Sequence, residues 1–159
     1  MTDRNVFGRF FQTAYVTRDL DAAMALFRAR HGDVDYKVME GQARPDGTPA
    51  AAQRIALTYV GDVMIELIQP SLEIATIYDY ALPDDAESMC LHHLGYLIED
   101  YHQTFGELTK LGYSLPSAGS FGDLLDYIYA DTRAEFGHFS EFIRLGAAGK
   151  AMFDAVPRR

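Results

Sequence analysis

The stretch Gln12-Thr-Ala-Tyr-Val-Thr-Arg-Asp-Leu20, running into Asp21-Ala-Ala-Met-Ala-Leu-Phe27, is repeated in outline by His93-Leu-Gly-Tyr-Leu-Ile-Glu-Asp-Tyr101, running into His102-Gln-Thr-Phe-Gly-Glu-Leu108. At an offset of 81 positions Tyr15 falls on Tyr96, Asp19 on Asp100 and Gln12 on His93. Each copy begins as an aromatic and β-branched strand, passes through an aspartate suited to cap a helix, and continues with apolar residues at helical spacing. Each half also ends in an apolar strand holding one carboxylate, Met64-Ile-Glu66-Leu-Ile68 in the first and Phe139-Ser-Glu141-Phe-Ile143 in the second. The chain is an internal duplication, with four potential metal ligands at matched places.

Working outward, Phe10 to Thr17 reads as a strand and Leu20 to about Ala29 as a helix stopped by Gly32. Strands follow at Tyr36–Met39, Ile55–Val60 and Val63–Gln69, the last two joined by Gly61-Asp62, a compact hairpin signal. The second copy gives a strand at His92–Ile98, a helix capped by Asp100 and running to about Leu111, and strands around Tyr113–Leu115, Leu125–Ala130 and His138–Leu145. Both halves therefore read β-α-β-β-β. The expected division is one domain over residues 1–159, with a first module at 8–70, a linker at 71–90, a second module at 91–146 and a C-terminal helix or tail at 147–159. A chain of 159 residues forms one ordinary core more readily than two independent ones.

Apolar residues at 48% and charged residues at 23% fit a globular protein, and no run is long enough to cross a bilayer as a helix. The formal charge of −9 opposes nucleic acid as a partner, since such binding rests on basic groups releasing counterions. The single cysteine, Cys90, excludes an internal disulfide framework and reads as a small packed or loop residue. The beginning of the chain shows no basic-then-apolar export pattern, so cytoplasmic residence is expected. The closing Pro157-Arg-Arg159 reads as a frayed terminus.

Alternation along strands puts Gln12, Ala14 and Val16 on one face, and likewise His93, Gly95 and Leu97. Met64, Glu66 and Ile68 share a face, as do Phe139, Glu141 and Ile143. A carboxylate among apolar neighbours is costly to bury alone, and a divalent cation shared with Gln12 and His93 would compensate both glutamates. His93 is preferred to His92, which points to the other face. The bland readings are solvent-facing glutamates on edge strands and a surface glutamine. The matched pair of carboxylates weighs against them. Arg54 and Arg133 are weaker candidates for meeting a substrate anion, and Tyr15 and Tyr96 are expected to pack between sheet and helices.

These pieces together resemble the vicinal oxygen chelate superfamily, which includes glyoxalase I, methylmalonyl-CoA epimerase, extradiol dioxygenases and bleomycin-resistance proteins. The likeness covers roughly residues 8 to 146 and rests on Arg18-Asp-Leu-Asp-Ala-Ala23, Ile65-Glu-Leu-Ile-Gln-Pro70, Leu91-His-His-Leu-Gly-Tyr96 and Ser140-Glu-Phe-Ile143. The resemblance implies an α+β fold in which the two modules form a curved mixed sheet around a cleft, with helices on the outer face. It implies one divalent ion, zinc, nickel, cobalt, manganese or magnesium, held by Gln12, Glu66, His93 and Glu141. It further implies a lyase or isomerase that removes a proton next to a carbonyl of a small oxygenated substrate, such as a hydroxy-ketone adduct, an organic acid or an acyl thioester. Glu141 would be the first choice of base and Glu66 the second. The alternatives are a non-catalytic small-molecule binder of the bleomycin-resistance kind and, less favoured, a ring-cleaving dioxygenase. A homodimer is also implied, while a glutathione or coenzyme A site has no residues that announce it.

Overall fold

The computed structural model describes residues 5–159. The element order is β1 (Arg9–Thr17), α1 (Leu20–His31), β2 (Lys37–Glu40), β3 (Ala52–Val60), β4 (Val63–Pro70), a 3-10 turn (Asp79–Ala81), β5 (Met89–Leu97), α2 (Tyr101–Lys110), β6 (Ser117–Ser120), β7 (Leu125–Ala130), α3 (Arg133–Phe136), β8 (Phe139–Leu145) and α4 (Ala147–Asp154). The class is α+β, as expected. The strands pair in the order β2-β3-β4-β1-β5-β8-β7-β6 within a mixed sheet.

The duplicated helices begin for the same reason. The Asp19 carboxylate accepts from the Ala22 amide at 3.0 Å, and the Asp100 carboxylate accepts from the Gln103 amide at 2.9 Å. Each satisfies one of the amide donors that a helix start leaves without an internal partner. Gly32 closes α1 at φ 86°, a left-handed geometry that glycine adopts without a Cβ penalty.

By contact the chain divides into two compact units, one of residues up to Gln12 with His93–Ala155, the other of Thr13–His92 with Val156–Arg159. In the second of these, Leu20, Ala23, Met24 and Phe27 of α1 pack on Ala56, Ile65 and Leu67, with Tyr15 against them. A separate cluster joins Ala14, Val16 and Ile68 to Tyr78 and Ala81, so the linker segment covers apolar strand residues. The chain end is also built in. The Tyr59 amide donates to the Pro157 carbonyl at 2.8 Å, the Arg159 amide returns to the Tyr59 carbonyl at 3.1 Å, and the Arg158 guanidinium lies 3.8 Å from the Tyr59 ring centre. The expectation of a frayed Pro-Arg-Arg terminus is corrected, because the last residues add to the edge of a paired strand.

In the other unit, Ile98, Leu108, Ile128, Ala130 and Phe142 form the core between α2 and the sheet, with Tyr96 and Tyr113 packed on it. Tyr113 and Leu115, expected in a strand, instead pack as a loop against that core, and the strand forms later at Ser117–Ser120. The small residues of β6 suit an edge strand better than the bulky pair before it. The short helix α3 was not anticipated. Cys90 is exposed on β5 rather than packed.

Candidate metal centre

The parallel pairing of β5 with β8 sets His93 opposite Phe139 and Gly95 opposite Glu141. The antiparallel pairing of β8 with β7 then sets Tyr129 opposite Glu141. Because directly opposed residues share a face, His93, Gly95, Glu141 and Tyr129 converge. His93 Nε2 lies 3.0 Å from Glu141 Oε2, and the Tyr129 ring meets the imidazole edge-on with centroids 5.2 Å apart. His93 is fully buried and Glu141 is 8% exposed.

Gln12 joins them through Gly95. A Cβ built at Gly95 would stand 2.6 Å from Gln12 Oε1 and 2.8 Å from Gln12 Cβ. The absent side chain is therefore the space that the buried Gln12 amide fills, two residues along the strand from His93. His93 and Glu141 each offer a ligand atom within one unit, the imidazole nitrogen and the carboxylate standing 3.0 Å apart. Glu66 stands on β4 between the buried Ile65 and Leu67 and opposite Leu57.

The donor chemistry fits a divalent ion. Within this unit an imidazole nitrogen and a carboxylate stand together, with an amide oxygen two residues along the strand, donors of the kind borderline and hard divalent ions take. Glu141 sits between Phe139 and Ile143, 4% and 3% exposed, where a carboxylate is costly to bury alone; a divalent ion would offset that cost.

His92 is turned elsewhere, as strand alternation requires. Its Nε2 lies 2.9 Å from the Ile77 carbonyl oxygen and its ring packs 5.0 Å from that of Tyr78. Adjacent histidines thus divide into one that pins the linker and one at the centre. Arg54 is held by Asp21 and Glu40, and the Arg54 guanidinium keeps the Asp21 carboxyl below its usual range. Arg133 makes a two-pronged pair with Asp131, at 2.7 and 2.6 Å, and its guanidinium lies 4.5 Å from the Phe139 ring centre. That pair holds the Asp131 carboxyl below its ordinary value.

Two participants escaped sequence reading, Tyr129 and the space-making role of Gly95. The available signal was Tyr127-Ile-Tyr129, two tyrosines at strand alternation in the segment just before the Glu141 strand.

Residues 11–128 match the profile of the Glyoxalase/Bleomycin resistance protein/Dioxygenase superfamily. The chain belongs to that superfamily. Among solved structures it is similar to the methylmalonyl-CoA epimerase from Mycobacterium tuberculosis, at 17% identity and a TM-score of 0.65 over 95% of this chain and 97% of that one. A Streptomyces coelicolor methylmalonyl-CoA epimerase variant in complex with 2-nitronate-propionyl-CoA is 15% identical, TM-score 0.63, over 89% and 97%. A methylmalonyl-CoA epimerase in complex with methylmalonyl-CoA and NH4+ is 16% identical, TM-score 0.60, over 89% and 97%. At these identities the likeness is one of fold. No curated protein matches the chain. Among the described residues no helix is long and apolar enough to cross a membrane.

Proposed function

We propose that this protein is a metal-dependent isomerase or lyase that removes a proton from carbon next to a carbonyl group of a small oxygenated substrate. The observation carrying the reading is the buried pair of His93 Nε2 and Glu141 Oε2, 3.0 Å apart, with the Gln12 amide against Gly95 between them in the strand pairing. Gln12, His93, Glu66 and Glu141 would hold the ion. When bound, a divalent ion supplies Lewis acidity toward substrate oxygens.

Glu141 is the proposed base. Its carboxylate accepts the proton from the carbon adjacent to the carbonyl, and in an isomerase delivers it to the neighbouring carbon, the former carbonyl carbon, as the electron pair moves to make the new carbonyl. His93 Nε2, 3.0 Å away, fixes that carboxylate, and the Tyr129 ring holds the imidazole from its edge. Phe139 and Ile143, flanking Glu141 on its own face, keep water from competing for the proton. Glu66 is the second candidate for the same role.

The test is elemental analysis of stripped and reconstituted protein, with Glu66→Ala and His93→Ala alongside. Stoichiometric metal in the wild type and its loss in both variants is expected. Absence of specific metal in the wild type refutes the reading and leaves a non-catalytic binder. Glu141→Gln then separates the roles by NMR-detected α-proton exchange on hydroxy-ketones, glutathione adducts and acyl thioesters. Exchange should fall at least about 100-fold, in line with the ordinary contribution of a general base, with a much smaller loss of metal.

A further inference from the structure

Two hydroxyl oxygens, Thr58 Oγ1 and Tyr36 Oη, are buried with no hydrogen-bond partner among the described residues. Both belong to the unit that contains α1. Strand pairing puts them in one layer. Lys37 is opposite Leu57 and Val38 opposite Ala56, so the same ladder carried one residue outward brings Tyr36 level with Thr58. Ala56 packs beneath α1, and alternation along β3 sends Thr58 to that same face. Tyr36 packs against the cluster that holds Met24, Phe27 and Ile65, and the Arg28 guanidinium of α1 lies 5.0 Å from its ring centre. The place is a seam along one edge of β3. Pairing with β2 occupies that edge as far as Leu57, and the chain end takes it up again at Tyr59, while β4 lies on the other edge.

Thr58 is fully buried. Valine has nearly its shape, suits a strand equally well and brings no polar group out of water, so a hydroxyl here costs stability unless something bonds to it. Whatever does so is small, because the site lies beneath a packed helix. It is also uncharged, since an ion among Ala56, Ile65, Met24 and Phe27 would be unpaired, and the Arg28 guanidinium opposes a cation. Both hydroxyls can donate and accept, which suits a partner that does the same. Burial pushes the Tyr36 hydroxyl up to about 12, so it stays a neutral donor. We propose that this layer binds one ordered water molecule, hydrogen-bonded to Thr58 Oγ1 and Tyr36 Oη. Two polar partners are the fewest that hold a buried water. The water joins Tyr36 to β3 at the point where direct pairing with β2 stops.

The experiment is urea unfolding of the wild type, Thr58→Val, Tyr36→Phe and the double variant, read as a double-mutant cycle. Each single substitution removes one bond to the water and leaves the other hydroxyl orphaned. Each should therefore lower the folded-to-unfolded ratio about 2- to 12-fold, the range of one net hydrogen bond. The second substitution should lower it no further, because it deletes a group that the first has already stripped of its partner. A Thr58→Val protein as stable as the wild type or more stable, or two losses that simply multiply, overturns the proposal. A crystal structure of the wild type gives an independent reading. Density for a water within about 2.5–3.0 Å of both oxygens supports the site. Hydroxyls bonded directly to each other, or no density between them, overturn it.

Discussion

Replacing Gly95 by alanine should damage the candidate centre without replacing any of its proposed ligands. Gly95 does not have a positive φ, so an alanine there meets no backbone penalty. The obstacle is contact. The new Cβ would stand 2.6 Å from Gln12 Oε1, 2.8 Å from Gln12 Cβ and 3.3 Å from Gln12 Cδ. Rotating the amide relieves the first of these and not the second, because Gln12 Cβ is fixed to β1. With Gln12 only 2% exposed, the side chain has no solvent to turn into. Overpacking of this kind costs about 1–3 kcal/mol, which for a chain of this size corresponds to a fall in Tm of roughly 2–12 °C. Metal affinity should drop as well, since the amide oxygen is moved. Gly106→Ala is the internal control, because a Cβ there meets nothing within 4 Å and α2 should gain roughly 0.5–1 kcal/mol. Thermal and urea unfolding with metal titration measure all of these. In a Gln12→Gly background the alanine at position 95 should cost far less, a coupling that a double-mutant cycle reads directly. Wild-type stability and metal affinity in Gly95→Ala would refute the reasoning.

The two neighbouring histidines should separate cleanly. His92→Ala removes a buried ring from Tyr78 and leaves the Ile77 carbonyl without its partner, so a stability loss of about 2–4 kcal/mol is expected with metal binding retained in the folded fraction. His93→Ala should abolish metal binding, and the reverse pattern in elemental analysis would show that the assignment is inverted. Asp131→Asn should cost roughly 0.5–1 kcal/mol at pH 7, the range of a partly screened ion pair. The Asp131 carboxyl is depressed in the fold by Arg133, so its contribution is present above the ordinary carboxyl value and is lost as pH falls through the lower folded one. The difference in urea midpoint between wild type and Asp131→Asn should therefore shrink below about pH 4, and a difference that grew toward acid would contradict it.

Much of the fold was legible in one repeated stretch. Asp19 and Asp100 announce helix starts because a carboxylate that caps a helix must precede it by a fixed spacing, and both do cap. Gln12 and His93, with Glu66 and Glu141, stood out because strand alternation and duplication are one-dimensional properties. Where the signal was local bulk, it misled. Tyr113 and Leu115 have the composition of a strand but are held in a loop by the α2 core, while the small residues of β6 take the edge.

What only the tertiary structure decided is how residues far apart in sequence meet. Sequence named His93 and Glu141 as candidates, but their 3.0 Å approach depends on the parallel register of β5 and β8. Tyr129 meets His93 only because β7 lies antiparallel to β8 with this residue opposite Glu141. Gly95 reads as an unremarkable small residue until Gln12 is seen to occupy its missing side chain. Pairing register is set by turns, burial and neighbouring strands acting together, so it is a property of the folded chain, whereas capping and alternation are written into each segment by itself.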